Sequence, residues 1–171
     1  MKAIKIILVI ITLLVLVFFA TGLLVKETNY TTEVAINKPL EEVFVVFEDP
    51  QTLKKWLPEV KSIEPIEVKE GKVGSSYKMI VENEGQEMVM IEKITAYIPN
   101  EKMTFQFDSD QMLKTDDFNF TSDGTITKMV QHSTVKSKSY MMSCLFPYFK
   151  GTFTSMSQDY MDRFKKMVEE K

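Results

Sequence analysis

The sequence predicts an α+β protein in which an antiparallel sheet curls around a long C-terminal helix, preceded by a transmembrane helix. Three patterns support this prediction. An uncharged apolar run occupies Ile6–Val25, alternating segments separated by turn residues follow from Val60 to Lys138, and apolar residues recur at helical spacing near the C-terminus. The 171 residues suffice for one domain with an appendage.

The apolar run has the length and composition of a transmembrane helix. The twenty residues Ile6–Val25 carry no charge and would rise about 30 Å as a helix, which matches the hydrocarbon core of a bilayer. A cleaved signal peptide is the alternative, because Ala20–Gly22 resembles a small-residue cleavage site. Since the run continues through Leu23–Val25, the sequence favours an anchor over residues 1–26 and a domain over residues 27–171.

The charges beside the run predict its orientation. Lys2 and Lys5 precede it, whereas Lys26 on the other side is offset by Glu27. The positive-inside rule then places the N-terminus in the cytoplasm and the domain on the extracytoplasmic side. The spacer Lys26–Asn29 reaches only about 15 Å when extended, so we expect the domain to lie close to the bilayer.

The part of the chain after the anchor is acidic. Residues 26–171 carry 19 basic and 24 acidic side chains, a net charge of −5, without a block of Lys and Arg. We therefore expect no nucleic-acid partner, and we assign membrane attachment to the helix rather than to charge. Cys144 is the single cysteine, which excludes a disulfide framework.

The domain is predicted to begin with one strand and two short helices. β-Branched residues alternate over Tyr30–Ile36, as is typical of a strand. Asn37 is expected to cap the first helix, with Pro39 in its first turn. Asp49-Pro50 separates this helix from a second one, which ends before Pro58.

Six further strands are predicted between the short helices and the C-terminal region. Turn residues such as Glu84-Gly85 and Asp123-Gly124 leave only short loops between them, which favours an antiparallel meander. The predicted strands are Val60–Lys69, Ser75–Asn83, Glu87–Ile98, Lys102–Asp108, Met112–Thr121 and Thr125–Lys138.

The last helix is predicted from an apolar stripe whose members are three or four residues apart. These residues are Phe149, Phe153, Met156, Tyr160, Phe164 and Met167. Ser157, Gln158 and Asp162 fall on the predicted opposite face. The stripe must be buried, and the meander is the large surface available for it.

Several segments of the domain carry a family resemblance. They are Ala35–Phe44, the spacing from Asp49 to Trp56, Val73–Ser75, Ile98–Lys102 and the closing helix. Together they resemble the START-like, or SRPBCC, superfamily, which includes polyketide cyclase/dehydrase-like and lipid-transport proteins and has a helix-grip fold. The resemblance covers residues 30–170, and the apolar N-terminus is similar to that of membrane-tethered bacterial members.

The resemblance implies an apolar cavity between the sheet and the long helix that binds a lipid or another hydrophobic small molecule. It does not imply a particular reaction. Alternation makes one face of the segment 103–107 wholly apolar, and methionine suits an adaptable lining. An ordinary methionine-rich core is the alternative. The predicted ligand contacts are Trp56, Tyr77, Met79, Phe105, Phe107, Phe149, Phe153 and Met156.

Few residues offer catalytic chemistry. His132 is the only side chain whose ordinary pKa lies near neutrality, and on a strand it would face either the cavity or solvent. Cys144 lies in an apolar segment, where a thiol usually packs as a small hydrophobe. The carboxylates of Asp108, Asp110, Asp116 and Asp117 lack the spacing of a calcium loop, and no zinc motif occurs. We predict neither a metal nor a cofactor.

Three functional hypotheses remain from the sequence. The first is a membrane-tethered binding protein for a lipid or another hydrophobic small molecule. The second is a cyclase- or dehydratase-like enzyme that uses His132 as an acid or base. The third is a protein-interaction module with a vestigial pocket, whose partner the sequence does not identify. The amphipathic architecture and the short spacer favour the first hypothesis.

Overall fold

The fold consists of a seven-stranded antiparallel sheet, a long C-terminal helix against it, and a separate apolar helix at the N-terminus, which confirms the predicted α+β helix-grip architecture. A computed structural model describes residues 2–83 and 85–170, so Glu84 of the predicted turn lies outside it. The elements are α1 (Lys2–Leu24), β1 (Thr28–Ile36), α2 (Leu40–Phe47), α3 (Leu53–Trp56), β2 (Val60–Glu67), β3 (Ser76–Asn83), β4 (Gln86–Ile98), β5 (Lys102–Asp108), β6 (Met112–Ser122), β7 (Thr127–Ser137), α4 (Tyr140–Leu145), a 3-10 helix (Phe146–Phe149) and α5 (Lys150–Glu169).

The strands from β2 to β7 form the predicted meander. The order across the sheet is β1-β7-β6-β5-β4-β3-β2, and β1 joins by pairing with the last strand. Thr28 lies opposite Val135, and Ile36 lies opposite Thr127. The strand ends differ from the predicted ones by at most two residues, because turn residues mark them in the sequence.

Helix α5 packs along the edge strand β1. The Gln158 side chain donates a hydrogen bond to the Glu33 carbonyl at 3.1 Å, and the Lys165 ammonium donates one to the Ala35 carbonyl. These side chains satisfy backbone acceptors that an uncovered edge would present to another chain. The helix therefore protects the edge of the sheet as well as its face.

The buried face of α5 differs from the predicted stripe. The buried side chains are Ser157, Met161, Phe164 and Val168. Phe149 precedes the helix and is 47% exposed, and Met156 is 39% exposed. Ser157 faces inward instead, because its hydroxyl lies 3.2 Å from the Tyr30 hydroxyl of β1 and hydrogen-bonds with it.

The start of α2 also differs from the prediction. Pro39 occupies the N-cap position, and no side chain caps the helix. The Asn37 backbone N–H donates to the Glu169 carboxylate of α5 at 2.7 Å. The turn between β1 and α2 is therefore fixed by the last turn of α5 rather than by the expected Asn37 cap.

Helix α1 is long and apolar enough to cross a membrane. Its most apolar window of 18 residues has a mean hydropathy of 3.1, with 6% of the window buried. The hydroxyls of Thr12 and Thr21 donate to the carbonyls of Leu8 and Val17, each at 2.9 Å, so these polar groups are satisfied within the helix. The same length and composition also fit a signal sequence.

Candidate ligand-binding face of the sheet

The face of the sheet toward α5, called the inner face below, carries alternate residues of every strand. Paired residues of neighbouring strands point to the same side, so the register arranges the inner face in rows. The first row consists of Thr28, Val135, Lys114, Phe107, Glu92 and Tyr77. The second row consists of Tyr30, Ser133, Asp116, Phe105 and Ile94.

Beyond the second row, an aromatic core fills the space between the sheet and the helices. The ring centroid of Phe47 lies 4.8 Å from that of Phe118, 5.0 Å from that of Phe120 and 5.6 Å from that of Phe164. Trp56 packs 5.2 Å from Phe164. All five side chains are buried, so this half of the inner face offers no room for a ligand.

The other half of the inner face keeps a partly open apolar wall on β3 to β6, here called the methionine wall. Its half-buried members are Tyr77, Met88, Met90, Phe105, Phe107 and Met112, with Met79 fully buried among them. Helix α5 packs along β1 at the far edge of the sheet and leaves these side chains partly accessible. Flexible methionines beside aromatic rings suit apolar molecules of varied shape.

A buried polar network borders the methionine wall. The Lys114 ammonium donates to the Asp116 carboxylate at 2.8 Å, and the Ser133 hydroxyl donates to the same carboxylate at 2.7 Å. Gln131 donates to the Ser133 hydroxyl at 3.0 Å and accepts from the Thr32 hydroxyl at 3.3 Å. These hydrogen bonds offset the cost of removing the ion pair from water.

Lys114 keeps its charge in this setting. Burial opposes the charged form, but the Asp116 carboxylate and the Tyr30 hydroxyl more than compensate and raise the pKa of the Lys114 ammonium. The inner face therefore holds a cation at neutral pH, with its counter-charge beside it.

Glu92 lies in the first row between Tyr77 and Phe107 and is 6% exposed. Among residues 2–83 and 85–170, no hydrogen-bond or ion-pair partner accompanies its carboxyl group. Burial alone raises the pKa of Glu92 to about 7. The group can thus donate or accept a proton near neutral pH within the methionine wall.

Two open clefts adjoin the first turns of α5. The first has a volume of about 450 Å³ and is lined by Asn29, Tyr30, Thr31, His132, Ser133, Thr134, Lys150 and Thr154. The second has a volume of about 660 Å³ and is lined by Lys150, Gly151, Thr154, Ser155, Gln158 and Asp159. Tyr30 and Ser133 belong to the second row, so the first cleft reaches the polar network from outside.

The structure brings together half of the residues predicted to contact a ligand. Those on the inner face are Tyr77, Met79, Phe105 and Phe107. Trp56 belongs to the filled aromatic core, and the Phe153 ring packs 6.3 Å from the Tyr30 ring. Phe149 and Met156 are exposed.

The residues singled out for catalytic chemistry lie elsewhere. His132 is exposed on the outer face of β7, where its Nδ1 lies 3.0 Å from the Thr31 hydroxyl. Strand alternation therefore removes it as an acid or base on the inner face. Cys144 is buried against Gly22 of α1. In the part of the chain that the structure describes, no cluster of three His, Cys, Asp or Glu residues could hold a metal ion.

The sequence analysis did not place any charged residue on the inner face. Lys114 and Asp116 share the face of β6 that carries Phe118 and Phe120, and Glu92 shares the face of β4 that carries Ile94. A charged residue at an apolar-face position of a strand is itself a signal, because burying a charge is costly unless it has a role or a partner.

Comparison with known proteins identifies a family to which this architecture corresponds. Residues 27–169 match the family described as polyketide cyclase / dehydrase and lipid transport. The comparison with curated protein sequences gives no match. The family match spans β1 to the end of α5, so every element of the inner face lies within it.

Solved structures with low sequence identity share the fold. A START superfamily protein from Mycobacterium smegmatis aligns with a TM-score of 0.69 at 16% identity, over 83% of this chain and 97% of that one. A Thermus thermophilus protein aligns with a TM-score of 0.68 at 18% identity, over 82% and 96%. The Zhui aromatase/cyclase from a Streptomyces species aligns with a TM-score of 0.63 at 9% identity, over 82% and 96%. By its sequence match over residues 27–169, this chain belongs to the polyketide cyclase/dehydrase and lipid transport family.

Proposed function

We propose that the protein is a membrane-tethered binding protein for a lipid or another hydrophobic small molecule, with residues 1–26 as anchor and residues 27–171 as binding domain. The observation that carries this proposal is the position of the methionine wall. Its aromatic members Tyr77 and Phe107 share the first row with Thr28, which only three residues separate from the end of α1. The partly open half of the inner face is thus at the end of the sheet where β1 follows the apolar helix.

The chemistry of the wall favours an amphiphile. An acyl chain or a fused ring would pack on Met90 and Phe107, where burial of apolar area stabilises the complex by roughly 25 cal/mol per Å². Lys114 already pairs with Asp116, whereas Glu92 has no partner in the described part of the chain. A hydroxyl group of the ligand would supply that partner, since it accepts from the neutral carboxyl and donates to the carboxylate.

A matched pair of substitutions on β4 tests the proposal. Met90 is half-buried on the inner face, and its neighbour Val89 is 50% exposed on the outer face. The full chain is reconstituted in phosphatidylcholine vesicles that contain a phosphatidylcholine with a photoreactive diazirine on its acyl chain. Cross-linked residues are then mapped by mass spectrometry.

We expect cross-links on the methionine wall in the unsubstituted protein. Met90→Trp fills the wall and should lower their yield several-fold, whereas Val89→Trp should leave it unchanged. Cross-links confined to α1, or equal yields from both variants, would overturn the binding function.

A further inference from the structure

The segment between Lys138 and Lys150 has no charged residue and remains apolar on its surface. It forms α4 and the 3-10 helix. Tyr140 is 45% exposed and Tyr148 is 59% exposed, and the other exposed apolar side chains of this segment are Met141 at 51% and Phe149 at 47%. Several exposed apolar side chains within one short segment indicate a surface that another apolar phase covers.

The same segment is where the domain holds α1. The Tyr140 hydroxyl donates to the Phe19 carbonyl at 2.7 Å, and the Tyr148 and Thr21 hydroxyls hydrogen-bond at 2.9 Å. The Tyr140 and Phe19 rings stack with centroids 6.2 Å apart. These contacts fix the position of α4 and the 3-10 helix along the axis of α1.

Gly22 permits this close approach. It is the buried residue of α1, and a Cβ atom at this position would overlap the Cys144 sulfur and lie 3.1 Å from the Cys144 backbone nitrogen. A side chain at position 22 would therefore push α4 away from α1. The contact between the two helices therefore depends on Gly22 of α1 and on Cys144 of α4.

The depth of the contact follows from helix geometry. Phe19 lies six residues before Val25, where the apolar run ends, which corresponds to about 9 Å along the helix axis. A group bonded to the Phe19 carbonyl therefore lies below the level at which the apolar run leaves the hydrocarbon. Tyrosine rings are enriched at the membrane–water interface, just above this level, because their hydroxyls find partners there while their rings contact lipid.

We infer that α4 and the 3-10 helix are a second membrane contact, seated in the interface of the bilayer that α1 crosses. This inference rests on the proposed anchoring by α1. Met141 and Phe149 contact acyl chains, and Lys138 and Lys150 lie at either end of the segment beside the lipid headgroups. The occupant of the exposed patch is the bilayer itself, because the patch is continuous with α1.

Site-directed spin labelling of the full chain in phosphatidylcholine vesicles tests the inference. Cys144→Ala removes the native thiol, and single cysteines are introduced as Met141→Cys and Phe149→Cys. Leu14→Cys, in the middle of α1, reports whether the anchor is inserted. Ile126→Cys lies in the turn between β6 and β7, at the opposite end of the sheet, and serves as the aqueous reference.

The measured quantity is the accessibility of each label to molecular oxygen relative to a water-soluble nickel complex. We expect this ratio to be several-fold higher at positions 141 and 149 than at position 126, and highest at position 14. Aqueous values at both 141 and 149, with a lipid value at 14, would overturn the second contact while the anchor stands. An aqueous value at 14 would instead refute the proposed anchoring itself.

Discussion

Glu92 makes the stability of the fold depend on pH. Burial raises its pKa to about 7 from an ordinary value of 4.5, so the folded state binds the proton more tightly than the unfolded state does. The stabilisation is complete below the unfolded pKa and is lost as the pH rises through 7. The difference amounts to about 3 kcal/mol of the free energy of unfolding.

Glu92→Gln should remove this pH dependence. The amide stays neutral, so the variant should match the parent near pH 4.5 and exceed its stability by up to about 3 kcal/mol at pH 8. Trp56, the single tryptophan, is buried and reports urea unfolding of the full chain in detergent. Glu87→Gln, at an exposed position of the same strand, is the control. A stability difference that is the same at both pH values would contradict the assignment.

At the scale of elements, the predictable features were those encoded in neighbouring residues. Alternation and turn residues placed all seven strands, and helical spacing placed α5. The predictions that were wrong concern features that depend on contacts between distant parts of the chain. Ser157 faces inward because of Tyr30, and Asn37 is held by Glu169 rather than acting as a cap.

The candidate site was predictable only in part, for the same reason. Phe105 and Phe107 follow from strand alternation, which local sequence shows directly. Whether His132 or its neighbours face inward depends on how β7 pairs with β6 and β1, which no local pattern determines. The space near Trp56 is filled because residues from several elements meet there, and that outcome is likewise not local.

A separate prediction follows from the contact between α1 and α4. Gly22→Ala should displace α4, because the added Cβ overlaps the Cys144 side chain, and modification of the buried Cys144 by N-ethylmaleimide should become several-fold faster. Gly151→Ala is the matched control, because nothing lies within 4 Å of a Cβ at this other helical glycine. Equal rates in both variants would show that α4 does not depend on a close approach to α1.

At the scale of the molecule, the inner face is divided in two. The aromatic core at one end stabilises the domain, and the methionine wall at the other end remains partly open. This division explains how a chain of ordinary apolar content supports both a stable fold and the proposed surface for apolar ligands. The two roles are met by different rows of the same sheet.

A protein that takes its ligand from its own membrane should respond to the ligand content of that membrane. Diluting the vesicle suspension in buffer, at a constant fraction of the photoreactive lipid, should therefore leave the cross-linking yield on the methionine wall unchanged. A yield that falls with dilution would indicate uptake from water. Vesicles with a lower fraction of the photoreactive lipid are the control and should give a proportionally lower yield.

The three-residue connection between α1 and β1 has a topological consequence. A tether this short cannot carry the domain around or across the bilayer, and the first row of the inner face stays above the leaflet in which α1 ends. In the proposed arrangement the protein samples that leaflet alone. Leaflet asymmetry, rather than the overall lipid composition of the cell, would then define which molecules it meets.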